Sequence, residues 1–293
     1  MGSSFSFFPP LFTFINQPSP HPHPCLGDLP ESCVASILMN LEPKDICKVS
    51  LLNKAFRDAS FADFVWELKL PLNYEALTKR VFHDFDDNEG VEYGLCKKDV
   101  FARLCEPNSF DGGTKRAWLD KSTGKVCLSM ASSALAITGM DDRRYWTRIQ
   151  TDESRFHSVA YLQQMWWFEV DGEVEFPFPP GCYSLFFRLQ LGLSAKRFYR
   201  RMCSTEHVHG WDIKPVRFQI STSDGQESTS QCYLREPGRW IFYHAGDFSV
   251  NPSKSTKVKF SMTQIDCTHT KGGLCVDSVL IYPGEFKERL KRV

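Results

Sequence analysis

The chain has 293 residues, of which 42% are apolar and 24% charged, with 35 Lys and Arg against 35 Asp and Glu. This length predicts about two domains, and this composition excludes a largely disordered chain. Residues 25–113 carry 10 basic and 16 acidic residues, whereas residues 114–293 carry 25 and 19, and that surplus of six positive charges gives no reason to expect nucleic acid as a partner.

Residues 1–25 are predicted to be a disordered tail rich in Phe and Pro. The first Lys or Arg is Lys44, so the tail has neither the basic start of a secretory signal nor the arginines of a transit peptide. The chain has no run of 18 apolar residues, so no transmembrane helix is expected, and the cytoplasm or nucleus is the expected location. Gly2 stands in a Met-Gly-x-x-x-Ser pattern that fits N-myristoylation. Chance is the alternative, because the pattern fixes little beyond Gly2 and Ser6, and one acyl chain binds a membrane only weakly.

Residues 26–71 are predicted to form a small helical module. Residues 28–31 read Asp-Leu-Pro-Glu, which is a helix-start signal. Two amphipathic helices, the second beginning at Pro43, follow from the spacing of Val34, Ile37, Leu38, Leu41, Ile46, Val49 and Leu52. A third segment lies at 63–68. Three short helices bury little surface alone, so their apolar faces need the rest of the chain or another protein to cover them.

The string LPESCVASILMNLEPKDICKVSLLNKAFRDASFADFVWELKLP in this module resembles an F-box over its whole length. The resemblance implies binding to the Skp adaptor of a cullin–RING ubiquitin ligase. It also implies that ten residues divide between the adaptor interface and the core of the module: Leu29, Pro30, Ile37, Leu38, Leu41, Pro43, Ile46, Val49, Leu52 and Trp66. A helical bundle that only supports the fold is the alternative.

Residues 72–113 are predicted to be a helical connector. Helical patterns occur around 77–82 and 97–104, with an acidic loop at 84–90 between them. Residues 107–113 are dense in turn formers, so the domain boundary is expected at their end.

Residues 114–285 are predicted to fold as an antiparallel β-sandwich of the jelly-roll kind, which makes the chain a multidomain α plus all-β protein. Short apolar stretches alternate with turn-forming residues, as in β-sandwiches. The sequence lacks the helical patterns between strands that a parallel α/β sheet would need. In 182–191 and 257–263 apolar residues occupy every second position, with Phe186 as the exception. Further strands are expected at 117–119, 126–129, 145–149, 159–170, 216–221, 231–234, 240–243 and 274–282. Residues 286–293 are expected to be a tail.

The strings QMWWFEVDGEVEFPFPPGCYSLFFRLQLG, HGWDIKPVRFQ and KFSMTQIDCTHTKGGLCVDSVLIYP resemble the phloem protein 2 domain, a plant lectin domain related to the tobacco agglutinin Nictaba. Together with the F-box, the combination is similar to the plant F-box proteins of the phloem protein 2 A-type group, with member thirteen as the expected nearest relative. The resemblance implies binding of N-acetylglucosamine-containing or N-glycan sugars.

A sugar site needs exposed aromatic faces on which the C–H groups of a pyranose ring stack. The resemblance implies that the pair Tyr145 and Trp146 serves this purpose, with Trp146 as the main sugar contact. Gly139 stands where the family has a second Trp, and a glycine cannot stack. Losing one platform removes about 0.5–1.5 kcal/mol, so sugar binding is either lost or changed in specificity. The remaining tryptophans are expected in the core, except that one of the neighbours Trp166 and Trp167 faces out.

No catalytic residue, metal or cofactor is predicted. The 11 Cys are an odd number without a C-x-x-C pair, which argues against a disulfide scaffold and a zinc ribbon. His207-x-His209 and Cys267-x-His269 lack a second ligand pair. The alternating acids of 169–175 are predicted to be a solvated strand face, although a glycosidase acting through Glu173 or Glu175 is the least favoured alternative. The basic stretch 196–201 is predicted to be a solvated loop rather than a nucleic-acid contact.

The sequence thus predicts a non-catalytic substrate receptor of an SCF-type ubiquitin ligase. Its helical module would bind the Skp adaptor, and its β domain would select a target, which is a glycoprotein if the sugar site is functional. An intracellular lectin without a ligase role is the alternative.

Overall fold

The structure, a computed structural model of the chain, describes residues 29–82, 95–197, 200–251 and 255–290. For 194–197 and 200–203 it describes the backbone alone. The predicted tail, Gly2 and the acidic loop at 84–90 lie outside the described residues. Within them, no helix is long and apolar enough to cross a membrane.

The helices confirm the predicted N-terminal helical module. The described part before the first strand contains α1 (Glu31–Leu38), α2 (Pro43–Val49), α3 (Lys54–Ala59), α4 (Asp63–Glu67), α5 (Tyr74–Phe82) and α6 (Lys97–Leu104). Pro43 opens α2 where the N–H it lacks would have no helical partner. Asn53 caps α3 by accepting a hydrogen bond from the Phe56 N–H at 2.9 Å. The periodicity did not predict α3, because Phe56 is its only large apolar residue.

The described residues form fifteen strands, and all their pairings are antiparallel, as predicted. The strands are β1 (Asn108–Phe110), β2 (Lys115–Leu119), β3 (Val126–Ala131), β4 (Ala136–Ile137), β5 (Trp146–Gln150), β6 (Ser158–Leu162), β7 (Phe168–Phe176), β8 (Gly181–Leu191), β9 (Leu193–Arg197), β10 (Arg200–Ser204), β11 (Val216–Thr222), β12 (Glu227–Cys232), β13 (Trp240–Val250), β14 (Thr256–Gln264) and β15 (Leu274–Pro283). A short helix, α7 (Lys287–Leu290), follows the last strand.

Two sheets pack together as the predicted sandwich. In the first sheet one edge of β15 pairs with β8, which pairs in turn with β13, while the other edge pairs with β6 and β3. β2 and β1 extend this sheet from β3, and β5 extends it from β6. The second sheet has the order β12–β11–β14–β7–β4. Inward side chains of both sheets share one core cluster, as a sandwich requires.

The predicted alternation holds in β14, where Val258, Phe260 and Met262 are buried. β8 is buried on both faces along most of its length, because the shared core covers its inner face and a second apolar cluster covers part of its outer face. Phe186, the exception to its alternation, packs on the outer face in a second cluster with Tyr282. Phe286 stacks on Tyr282 with ring centroids 5.9 Å apart, so the predicted tail begins with a residue that packs on the domain.

Two predicted strands and the predicted domain boundary differ from the structure. The expected strand 159–170 is two strands, because the chain leaves the sheet at 163–167 and Met165 bridges to Lys271 instead. The turn formers near residue 113 connect β1 to β2, so the predicted boundary falls inside a hairpin of the β domain. The expected strand 231–234 is β12, which begins four residues earlier.

One predicted loop is also wrong. Backbone pairing makes residues 193–197 and 200–204 the β9–β10 hairpin rather than a solvated loop. The Lys and Arg residues of this stretch hide its pairing from a pattern search, since they mask any alternation of apolar residues.

The helical region packs against one end of the sandwich, here called the near pole. Asn73 Nδ2 donates to Pro177 O at 2.8 Å, and Arg80 pairs with Asp111 at 2.6 Å. The β2–β3 turn approaches the loop after α4 so closely that a Cβ on Gly124 would stand 2.7 Å from a backbone oxygen. One cluster of buried residues runs from the helices into both sheets.

The opposite end, the far pole, consists of residues 138–145, 163–167, 204–215 and 265–273. Strand β7 connects the poles, from Phe168 at the far pole to Phe176 beside the near pole. Its nine residues span about 26 Å at a rise of about 3.3 Å each.

Candidate functional site

The helices divide the ten predicted adaptor residues between core and surface. Four are buried: Leu38, Pro43, Ile46 and Trp66. Leu29, Leu41 and Val49 are half-buried and pack against the core. Pro30, Ile37 and Leu52 are exposed, the last two by 42% and 69%. Only the exposed and half-buried residues offer apolar surface to a partner.

Trp66 supports the module from within. Its Nε1 donates to Ser60 O at 2.7 Å, and its ring packs on Phe101 of α6 with centroids 5.3 Å apart. Trp66 therefore anchors α4 to α6, and its fully satisfied, buried indole is not available to an adaptor.

Leu51 is the exposed residue of this surface that sequence reasoning missed. It stands beside Leu52 in the turn between α2 and α3, where the backbone N–H groups of both leucines bond to the last turn of α2. Two adjacent exposed leucines in a backbone-bonded turn form a docking feature, because apolar side chains held in place lose little entropy on binding. In the sequence, the Leu-Leu pair directly before a helix cap is the signal that could have identified Leu51 as part of this surface. We refer to Ile37, Leu51 and Leu52 as the adaptor face.

At the far pole, the prediction that Trp146 presents an exposed ring is wrong. Trp146 is 1% exposed, its Nε1 donates to Thr138 O at 3.1 Å, and its ring packs near Phe168. The first position of β5 points this side chain inward, opposite Leu162. A buried ring cannot stack on a sugar.

Tyr145, the other member of the predicted pair, has an exposed ring. Gly139 lies beside it with a φ of 76°, a conformation that favours glycine. A Cβ at Gly139 would stand 3.3 Å from Tyr145 Cδ2 and 3.8 Å from Met165 Cε. A side chain at this position would therefore crowd the Tyr145 ring and would need a backbone conformation that favours glycine.

Both Trp166 and Trp167 are exposed, by 52% and 46%, so the prediction that one of them is in the core is wrong. They stand where the chain leaves the sheet between β6 and β7, which removes the alternation on which that prediction depends. Trp167 Nε1 donates to Glu169 Oε2 at 3.2 Å, and Thr138 Oγ1 donates to the same oxygen at 3.2 Å. The open aromatic surface of the far pole consists of Tyr145, Trp166 and Trp167.

A buried lysine holds this loop in place. Lys271 is fully buried, and its Nζ donates to Trp166 O at 2.5 Å, Gln264 O at 2.9 Å and Asp266 O at 2.8 Å. Burial lowers the pKa of Lys271 from its ordinary value, while three carbonyl acceptors satisfy its ammonium group. No pattern in the sequence distinguishes this lysine from a surface one.

The outward carboxylates of β7 face lysines of β14, as expected of a solvated strand face. Glu173 pairs with Lys257 at 2.9 Å, and this hydrogen bond lowers the pKa of the Glu173 carboxyl. Burial raises the pKa of Asp171.

Strands β7 and β14 line a groove of about 860 Å³ on the second sheet. In the described part of the chain, no three His, Cys, Asp or Glu side chains are grouped to hold a metal ion.

Two family models match the chain: Phloem protein 2 over residues 125–283 and F-box-like over residues 26–68. Three proteins of Arabidopsis thaliana illustrate the similarity. Identity is 58% to F-box protein PP2-A11 over 100% of both chains. It is 62% to F-box protein PP2-A12 over 92% of this chain and 91% of the relative, and 61% to F-box protein PP2-A13 over 89% of each. These values do not single out member thirteen of the group.

Solved structures resemble the chain only remotely. A family 35 carbohydrate binding module from Clostridium thermocellum matches 52% of this chain and 96% of its own, with a TM-score of 0.31 and 10% identity. A likeness of this size carries no argument about function.

Proposed function

The chain belongs to the F-box proteins that carry a phloem protein 2 domain, and from this premise we propose that it is the substrate-recognition subunit of an SCF-type cullin–RING ubiquitin ligase. The F-box binds the Skp adaptor, and the β domain binds the target protein. The chain makes and breaks no bond itself. It acts by raising the effective concentration of a target beside the ligase.

The observation that supports adaptor binding is the adaptor face. Its three residues are exposed although the core of the module beneath them is complete, with Leu38, Ile46 and Trp66 buried. Phe61, Phe64 and Leu68 are exposed as well, but Ile37 and Leu52 are also among the ten residues that the resemblance to F-boxes divides between adaptor interface and core. Their exposure, together with that of the adjacent Leu51, supports the interface role.

A pull-down of the intact chain with purified Skp adaptor tests this proposal. Replacing Ile37 and Leu52 together with Asp places charges in an apolar interface and is expected to weaken binding by at least ~30-fold. The matched control is Leu72→Asp, which adds one charge at an exposed leucine that follows α4, outside the adaptor face. Undiminished binding of the double variant would refute the assigned face, and no binding by the wild-type chain would refute the ligase role.

The supporting observation for sugar reading is the exposed ring of Tyr145, since Trp146 has no accessible face. If the target is a glycoprotein, Tyr145 supplies the stacking surface. A glycan array carrying N-acetylglucosamine oligomers and N-glycans tests this role, with Tyr145→Ala expected to lose the signal. A glycan signal without adaptor binding would favour the alternative, a lectin without a ligase role.

N-myristoylation of Gly2 remains a separate proposal, supported by the sequence pattern alone. Mass spectrometry of the N-terminal peptide from a plant-expressed chain tests it. An unmodified Gly2 would end the proposal and leave a location in the cytoplasm or nucleus as the expectation.

A further inference from the structure

The exposed apolar side chains of the β domain are concentrated at one place. In its described part, six large apolar side chains are exposed, and all but Tyr233 lie at the far pole. We refer to these five residues as the far-pole patch: Tyr145, Trp166, Trp167, Ile213 and Ile265. Scattered exposed residues need no explanation, but five of six at one end of a sandwich indicate an interaction surface.

Contacts of the backbone bring the patch residues together. The Lys271 ammonium touches the carbonyl oxygens of Trp166, Gln264 and Asp266, so Trp166 lies near Ile265, which stands between the other two acceptors. Gln264 Nε2 donates to the carbonyl oxygen of Lys214 at 2.6 Å, which places the neighbouring Ile213 beside them. Tyr145 joins the other side through Gly139 and Met165.

The chemistry of the patch fits apolar side chains of a polypeptide better than a sugar. Sugar sites need polar groups that are free to read hydroxyls. The carboxylate oxygen beside Trp167, Glu169 Oε2, already accepts from Trp167 Nε1 and Thr138 Oγ1, and the two exposed isoleucines offer only C–H surface to a ligand. Trp, Tyr and large aliphatic side chains are the residues that anchor protein–protein interfaces.

The charges around the patch indicate what flanks the apolar anchor. Among the described side chains of the far pole, excluding the buried Lys271, acids outnumber bases by five to three. The acids are Asp141, Asp142, Glu206, Asp212 and Asp266, and the bases are Arg143, Arg144 and Lys214. Two of the bases are already close to acids: Arg144 pairs with Asp142 at 2.6 Å, and Lys214 lies 3.8 Å from Asp266.

We propose that the far-pole patch is the target-docking surface and that it takes a polypeptide segment in which bulky apolar residues are flanked by Lys or Arg. This inference rests on the proposed role of the β domain as the target receptor. The apolar residues cover the aromatic and isoleucine side chains, and the basic flanks meet the acidic surplus, which steers association and sets salt dependence.

Selection of a random 12-residue displayed peptide library against the immobilised full chain tests the proposal. Selected peptides are expected to pair apolar residues with Lys or Arg. The dissociation constant of the best synthetic peptide is expected to rise at least tenfold in Trp167→Ser and in Ile265→Ser, and to rise between 0.15 and 0.5 M NaCl. Tyr233→Ser, which removes an exposed aromatic outside the patch, is the matched control and is expected to bind as the wild type does.

Three outcomes would overturn the proposal: selected peptides without basic residues, affinities that the two patch variants leave unchanged, and a patch that binds N-acetylglucosamine oligomers but no peptide. Skp adaptor pull-down with the same variants separates this inference from the proposed function. Retained adaptor binding shows that a failure at the far pole does not concern the helical module, and circular dichroism of each variant checks that its β domain is folded.

Discussion

Replacing Lys271 with Met is expected to destabilise the β domain by about 3 kcal/mol. The Met side chain fills the same buried space but leaves the carbonyl oxygens of Trp166, Gln264 and Asp266 without the donor that now lies 2.5–2.9 Å from them. Hydrogen bonds to a charged group contribute about 1.5 kcal/mol or more each. Three such bonds give roughly 4–5 kcal/mol, and relief from burying the ammonium offsets about 1–2 kcal/mol of it.

Urea unfolding followed by circular dichroism measures this difference, with the slope of the transition checked for an unchanged denatured state. Lys214→Met is the matched control, because Lys214 stands at the same pole with its side chain largely exposed, and a change below about 0.5 kcal/mol is expected. A loss below about 1 kcal/mol for Lys271→Met would show that the three contacts are worth no more than water contacts. It would also remove the reason to treat the Trp166 loop as fixed.

Three further predictions concern pH, thiol chemistry and the near pole. Burial opposes ionisation of Asp247, but hydrogen bonds from Ser184, His244 and Lys287 outweigh it and lower the pKa of Asp247 to about 2. The ionised carboxylate therefore stabilises the folded state above pH ~4, and this stability is lost as the pH falls toward 2. Asp247→Asn should flatten that part of a stability–pH curve by about 1 kcal/mol, an amount discounted for solvent exposure. Burial raises the pKa of Cys105 to about 12, so a maleimide should modify the exposed Cys33 in the native chain but Cys105 only after unfolding. Peptide mass spectrometry measures the two modification rates, and equal rates in the native chain would contradict the packing of α6. Gly124→Val should lower the free energy of unfolding by at least about 2 kcal/mol, because the valine side chain would meet a backbone oxygen and because a φ of 65° disfavours a β-branched residue. An unchanged melting temperature would contradict the close approach of the two regions.

Periodicity predicted the helical module well, because its signals are local. Val34 and Leu38 recur on one face of α1 and are buried, as that spacing requires. Periodicity did not show that Leu38 belongs to the core and Ile37 to the exposed surface, since both belong to the same apolar stretch. The difference arises only when α3 packs on one side of α1, and this is a tertiary contact that no local pattern encodes.

The sugar site illustrates the opposite case. A Tyr-Trp pair in a strand has one side chain on each face, and the sequence does not say which face is covered. The structure buries Trp146 and exposes Tyr145. The same alternation predicts one of Trp166 and Trp167 in the core, and it fails because the chain leaves the sheet there, with Met165 bridging to Lys271. The far-pole patch could not be predicted, because its members come from four separate loops that only the fold brings together.

The junction at the near pole determines how a target held at the far pole is presented. Arg80 of α5 pairs with one oxygen of Asp111 while its guanidinium lies 4.7 Å from the Phe110 ring centroid. Lys115 holds the second oxygen of Asp111 at 2.9 Å. A hinge between the helices and the sheets would have to break these contacts and expose part of the shared core, which opposes motion between the two regions. Under the proposed function, the length of β7 therefore separates the target surface from the helical region. The far-pole loops can then change their specificity without altering the adaptor face, because no residue of the far-pole patch contributes to the near-pole junction.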